Sequence, residues 1–436
     1  MKIKFVNHAS FIIEHEEVKL ICDPWLEGSS FNYGWGLISK TKMKYEDFKD
    51  ITHIWFSHEH PDHFSPPNLI KIKKDIRAKI TVLYQETTDK KVYEFCKKAG
   101  FKKQIELKEN KFFEINTEFK IMCNPYVAGD SYALFHVGNY KILNLNDCVV
   151  RTEHSAIKLK KTIGEIDILF TQFGYANKVG NINDISLRKA SSDEKLQRIN
   201  IQNRILKPKI IIPFASFIKF HHIENKYMNE GMYKIDKVYD YINNKLNTKC
   251  IVMYPNDTWE PSERWNSKKS VEKYIIDYEK FPTNGFVISE PVAESTLKEN
   301  SKVFLKKIKI GYSNRIRSIN SLKTNIFISD YGKSFELNGK NGLVKTNIGQ
   351  FSCDIILSSD SLNYCFKELW GFDTLAINAR YQETKKGNIK SFKNFGWVAS
   401  NLNRKEIFPG ITLFNRIRNK VHKLSIKYGR FPRENY

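Results

Sequence analysis

Four of the eleven histidines in this 436-residue chain fall between positions 53 and 63. Three of them stand with an aspartate within six residues, in Ser57-His58-Glu59-His60-Pro61-Asp62-His63-Phe64. Imidazoles and carboxylates crowded on one loop repel when equally charged and lose hydration when buried. A cation removes both problems, and imidazole with carboxylate suits first-row transition metals. Histidines two residues apart are not stacked neighbours on a helix, so a loop or a strand end must present them. The spacing therefore predicts that His58, His60, Asp62 and His63 converge on one metal ion or a pair. The competing reading is a His-rich surface turn, and the run from Ile51 to Phe56 argues against it by leading a buried strand into the motif.

The elements that must position this loop can be read around it. Residues 3–7, 10–14 and 18–22 are short β-rich runs, the last ending at Asp23-Pro24. A Gly/Ser/aromatic loop follows to Gly36, carrying Trp25, Phe31, Tyr33 and Trp35 as a ligand wall or a hydrophobic plug. Helices are expected over 66–76 and 88–99, with a strand over 80–84 between them. From 105 to 150 the pattern alternates as strands and ends at Asp147. Strands follow at 166–170, 210–214 and 250–254, with helices near 191–206, opened by the capping pattern Ser191-x-x-Glu194, and near 228–246. Strands and helices thus alternate in two halves, each led by strands, which predicts an α/β two-sheet sandwich with helices outside. The boundary is expected between Asp257 and Lys269, giving a metal domain over 1–265 and an accessory α+β domain over 266–436.

Composition narrows the function classes. With 71 Lys+Arg against 48 Asp+Glu the formal net charge is +23, and 13% aromatics marks a globular chain. No apolar run is long enough to span a bilayer, and the N-terminus lacks a signal peptide's apolar centre. The seven cysteines are odd in number with no CxxC pair, which argues for reduced core thiols in a cytoplasmic protein and against a built-in Rieske cluster. Basic residues are spread along the chain without a nucleic-acid-binding motif, so the charge is read first as a solvated basic surface, the sharper reading being a field that draws in a small anionic substrate. Residues 404–436 hold nine Lys/Arg against two Glu. Arg416, Arg418, Lys420, Lys423, Lys427, Arg430 and Arg433 would offer a basic face to an acidic partner.

The motif Ser57-His58-x-His60-x-Asp62-His63 after a buried strand resembles the signature of the metallo-β-lactamase superfamily. That resemblance implies an αβ/βα sandwich with the metal site between the sheets. It implies that His58 and His60 bind one metal, that Asp62 and His63 bind a second, and that Asp147 bridges them. His8 resembles an early histidine of many relatives and would stand behind the ligands. Two departures matter: the stretch Asn124 to Asp130 has no histidine where the superfamily usually has one, and none follows Phe214 closely until His221-His222.

Those departures point to one branch. Cys22-Asp23-Pro24-Trp25-Leu26, Gly34-Trp35, Lys141-Ile142-Leu143-Asn144 with Asp147-Cys148, and His222 with Lys226-Tyr227 together resemble the CMP-N-acetylneuraminate hydroxylases, over roughly residues 5–265. The resemblance implies that His222 is a ligand and that Asp23, Trp25, Trp35, Tyr126 and Asp130 serve the substrate. It implies an oxygenase, with iron favoured and zinc the alternative, acting on a nucleotide-linked sugar. Because this chain starts directly at the metallo-β-lactamase part, electrons would come from a separate Rieske or ferredoxin protein. Two other readings stay open: a dinuclear zinc hydrolase of a phosphodiester, lactone or amide, with Asp62 orienting the nucleophile, and a binding protein with a degenerate metal site.

Overall fold

A computed structural model describes residues 1–281 and 285–404, in two units. The basic face at Arg416 to Arg433 lies outside the described residues.

The first unit comprises Met1–Ala176, Asp184–His221 and Met228–Phe286. One seven-stranded sheet runs in the order Thr258–Trp259, Lys2–Asn7, Ser10–His15, Val18–Cys22, His53–Phe56, Thr81–Gln85, Lys103–Leu107. Its first strands pair antiparallel, and from Val18–Cys22 onward they pair parallel. The second sheet has the order Lys249–Cys250, Ile210–Phe214, Ile168–Gln172, Tyr140–Asn144, Ser131–Val137, Phe119–Pro125, Phe112–Glu114. It repeats the plan, with antiparallel pairs to Tyr140–Asn144 and parallel pairs beyond. The strand His53–Phe56 shows why the sheets face each other. Trp55 points inward and meets Phe135 of the second sheet edge-on at 6.0 Å, while Ile54 and Phe56 join a separate outer core with Phe64, Leu69 and Val92. Phe11 likewise stacks on Phe170 across the gap at 4.0 Å. Helices Glu153–Ile163 and Ile185–Leu206 add Ala156, Leu159, Ile199 and Leu206 to the inner core. The fold is the α/β two-sheet sandwich with helices outside.

Several elements differ from the expected ones. The helix expected over 66–76 is two short pieces, Pro66–Leu69 and Lys74–Arg77. The helix expected from 191 begins at Ile185, so Ser191 lies inside it, and Glu194 pairs with Arg198 one turn on at 2.9 Å rather than capping. The helix Glu153–Ile163, capped by Thr152 accepting from Ser155 N at 3.1 Å, was not foreseen. The helix expected over 228–246 shrinks to Ile235–Asp240 with an underwound, π-helical extension, Tyr241–Lys245. The first unit also runs past residue 265: Tyr274, on the helix Ser267–Lys280, stacks on Phe217 at 4.2 Å inside its core.

The second unit gathers Asn177–Asn183, His222–Tyr227 and the residues from Val287. Its five-stranded sheet runs Gly342–Thr346, Lys333–Asn338, Lys323–Ile328, Ile355–Leu357, Tyr381–Glu383. Helices Glu294–Gly311, Ser359–Lys367 and Ile389–Asn403 close a core of its own around Phe304, Phe335, Phe366 and Phe395. This is the α+β extension. All seven cysteines are buried and free of disulfides. Among the described residues no helix is long and apolar enough to cross a membrane.

Candidate metal centre

The site forms beyond the carboxyl ends of the parallel strands in both sheets, where open α/β sheets bind ligands. Strand Val18–Cys22 leads to Asp23, His53–Phe56 to Ser57 and His58, and Tyr140–Asn144 to Asn146 and Asp147. His8, Asp23, Asn146 and Ala215 each follow a strand with φ between +41° and +50°. Such left-handed backbone in non-glycine residues is strained, and it re-aims a side chain at the strand end.

Asp23 is the hub. It is fully buried and accepts hydrogen bonds from Ser57 N and Ser57 Oγ, both at 2.8 Å, and from Asn146 Nδ2. Its Oδ2 lies 3.1 Å from His63 Nδ1. That contact turns His63 Nε2 toward Asp62 Oδ2 at 3.1 Å and Asp147 Oδ2 at 3.6 Å. Ser57 Oγ sits 2.9 Å from His58 Nδ1, leaving His58 Nε2 to face His60 Nδ1 at 2.8 Å, Asp147 at 3.7 Å and Asp130 at 3.8 Å. His8 Nε2 reaches Asp62 Oδ2 at 3.2 Å. The Ser57 carbonyl accepts from Gln85 Nε2 and Ser131 Oγ, which pins the loop to both sheets.

Three groups of donor atoms result: His58, His60 and Asp130; His58, His63 and Asp147; and His8, Asp62 and His63. Burial, helped by His63 and His60, pushes His58 well below the ordinary imidazole range, and burial also lowers His60. Both are therefore neutral, as ligands must be. Burial opposes charge on Asp62 and His63, yet they overcome it together: His63 and His8 hold Asp62 well below the usual carboxylate range, and Asp62 and Asp147 hold His63 well above its own. Asp147 falls to about 2 despite burial, chiefly because His63 faces it and hydrogen-bonds to it. At Asp130 burial and Asp147 outweigh the pull of His63 and lift the carboxyl to about 7. Buried Asp62 Oδ1 has no hydrogen-bond partner, and His63 Nε2 lies near its two carboxylates without good hydrogen-bond geometry. Incompletely satisfied atoms inside a set of imidazoles and carboxylates fit one or two transition-metal ions.

The structure thus brings together His58, His60, Asp62, His63, Asp147 and His8. It adds Asp130, expected at the substrate, to the donors. Asp130 is the one acid in the stretch 124–130 that lacks a histidine, and the carboxylate stands where a ring was missed. His222 is not in the three donor groups: its Nε2 lies 3.1 Å from Ser289 Oγ and its Nδ1 3.6 Å from Glu224, all within the second unit. Asp23 and Trp25 are buried behind the histidines rather than lining a wall. Asp23 is enclosed by the hydrogen bonds above, and Trp25 meets His8 edge-on at 5.7 Å. Trp35 is buried between Phe31 and Phe220, and the ring of Phe31 meets His60 at 5.7 Å. Of the loop aromatics singled out, Tyr33 alone is exposed. Tyr126 is half-buried and donates from its hydroxyl to Val149 O.

Residues 2–215 match the family model described as a beta-lactamase superfamily domain. Over this stretch the chain carries the pattern of a β-lactamase superfamily domain. The chain is 23% identical over 272 residues to the cytidine monophosphate-N-acetylneuraminic acid hydroxylase of Cricetulus griseus, a match that covers 60% of this chain and 47% of that protein. The chain therefore spans about half the length of the curated relative. Among solved structures it is similar to CmlA, a diiron beta-hydroxylase from Streptomyces venezuelae, with TM-score 0.41 and 15% identity over 59% of this chain and 54% of CmlA. It is also similar to an isothiocyanate hydrolase from Delia radicum gut bacteria, with TM-score 0.45 and 13% identity over 60% of this chain and 99% of that one.

Proposed function

We propose that this chain is a metal-dependent oxygenase with an iron centre, acting on a small anionic, nucleotide-linked sugar-like substrate. The observation that carries the reading is the donor set: four imidazoles, His8, His58, His60 and His63, with three carboxylates, Asp62, Asp130 and Asp147. A set that mixes imidazole with three carboxylates and has no sulfur suits iron, whereas zinc sites are typically richer in nitrogen and sulfur. The similarity to the sialic-acid hydroxylase supports the substrate class. A bound iron would supply oxygen activation at this set, and a bound zinc would supply a polarised water for hydrolysis.

The chain's own residues then have definite tasks. Asp23 fixes the His63 tautomer, and Ser57 does the same for His58. Phe31 and Trp35 exclude water on the His60 side. Asp130, with its carboxyl lifted to about 7, can hold or release a proton near neutral pH. An oxygenase of this kind also needs an electron donor, for which a reduced ferredoxin or Rieske protein is the natural class.

The test combines metal analysis of the purified chain with turnover of CMP-N-acetylneuraminate, supplied with a ferredoxin and its reductase and followed by mass spectrometry. Iron, with one oxygen atom added to the product only when the donor is present, is the expected result. Zinc with donor-independent cleavage would move the assignment to a hydrolase. A chain that takes up no metal would leave a binding protein.

A further inference from the structure

The helix Ile185–Leu206 buries positions 188, 192, 195, 199, 202 and 206 along one stripe. That is the spacing of an ordinary core-facing helix, yet the stripe reads Arg, Ser, Lys, Ile, Gln, Leu. Its carboxyl half behaves as expected, with Ile199 and Leu206 in the inner core. The other half buries cations: Arg188 is 0% exposed, Arg198 5% and Lys195 8%. Burying a lysine costs stability unless something repays it.

The fold shows where that polar half lies. The helix connects the parallel strands Ile168–Gln172 and Ile210–Phe214, so it runs back across them and starts at their carboxyl ends. Gln202 marks the level, accepting from Thr171 Oγ1 at 2.7 Å and donating to Val150 O at 3.0 Å. The next strand residue, Gln172, donates to Asp147 at 3.1 Å. Lys195 is two turns before Gln202, about 10 Å further toward the metal end. The charges that act on it are Arg198, Glu194, Asp147 and Arg151.

Lys195 and Arg198 share a single acid. Glu194 takes Arg198 at 2.9 and 3.0 Å, and it is also the nearest acid to Lys195, at 4.0 Å. Arg198 Nε is buried with no hydrogen-bond partner. Arg188 is engaged elsewhere, donating from Nε to Glu230 O at 3.2 Å. We propose that Lys195, with Arg198, forms an oxyanion-binding wall on the Asp147 side of the metal centre and takes the phosphoryl or carboxylate group of the substrate. The assignment deepens the enzyme reading above and rests on it for the word substrate. Burial and the neighbouring Arg198 lower Lys195 to about 7, and a bound anion would oppose both effects.

The experiment is isothermal titration of the metal-loaded chain with sulfate and with acetate against chloride at matched ionic strength, for the parent, Lys195→Met and Lys195→Arg. Lys195→Met is expected to weaken anion binding by roughly tenfold or more, to leave metal content unchanged, and to raise the melting temperature because a buried charge is gone. Lys195→Arg should keep the affinity within about threefold, since it keeps the charge. Preference for sulfate assigns the wall to a phosphoryl group, and preference for acetate assigns it to a carboxylate. Parent-like anion binding by Lys195→Met would overturn the proposal, as would a collapse of its melting temperature, which would make Lys195 a structural strut. The two readings fail separately. A chain without metal but with Lys195-dependent anion binding sinks the oxygenase alone, and an iron-loaded, active chain without such binding sinks the wall alone.

Discussion

Asp23 has no exposed atom, yet the ring orientation of His63 depends on it. Replacing it by asparagine keeps the size but puts an amide against the His63 ring and against Asn146. Asp23→Asn is therefore expected to weaken metal binding roughly 10–100-fold in a chelator competition, the usual cost of losing a carboxylate behind a ligating histidine. His60→Ala should lower the metal content itself, which elemental analysis reads directly. Asp130 sets a pH dependence. Its carboxyl is raised to about 7, so the metal-free folded state favours the protonated form. Its contribution to stability is complete below the ordinary carboxylate range, near 4, and is lost as pH rises to about 7. Metal binding needs the carboxylate, so metal affinity should rise with pH up to about 7, and Asp130→Asn should flatten that rise.

At the scale of elements, the aromatic loop is tied into a small sheet. Ser29–Ser30, Trp35–Leu37 and Ile218–Phe220 form a small three-stranded sheet, with Phe220 paired to Trp35. Trp35→Ala removes a side chain that is 2% exposed, so about 3–5 kcal/mol of stability is expected to go, seen as an earlier urea transition. A parent-like transition with weaker substrate binding would instead make Trp35 part of a ligand wall. The strands of both sheets were legible because continuous apolar runs such as Ile210 to Phe214 have few other places to go. The helices were less so. Ser191 and Glu194 match a capping pattern that any helix interior can hold by chance, and Ile185–Leu206 hides its start because its buried stripe begins with Arg188.

At the scale of the molecule, chain order and unit membership part company. Residues 222–227 belong to the second unit, where Arg380, 1% exposed, donates to Glu224 at 2.7 Å and to Asp360 at 2.9 Å. Arg380→Met would leave two carboxylates without their buried cation, and a loss of roughly 3–5 kcal/mol is expected in equilibrium unfolding. Nothing in the local sequence couples Glu224 to Arg380, 156 positions later. The same long-range closure explains why His222, close in sequence to the strand ends of the first unit, makes its side-chain contacts to Ser289 and Glu224.

The sequence by itself determined the sandwich and the core of the donor set. His58, His60, Asp62 and His63 lie within seven residues of one strand end, so the strand alone carries them to one place. Tertiary structure decided the rest, because a donor set closes only when distant strand ends meet. Asp130 becomes a donor when the strand Ser131–Val137 lies beside Tyr140–Asn144, and Asp23 becomes the hub when Val18–Cys22 pairs with His53–Phe56. Lys195 sits toward the strand-end side of its helix because a crossover helix must start at the end where its strand finishes. Residue types foretell which groups can bind a metal, but only the pairing of strands sets the few ångströms that make them one site.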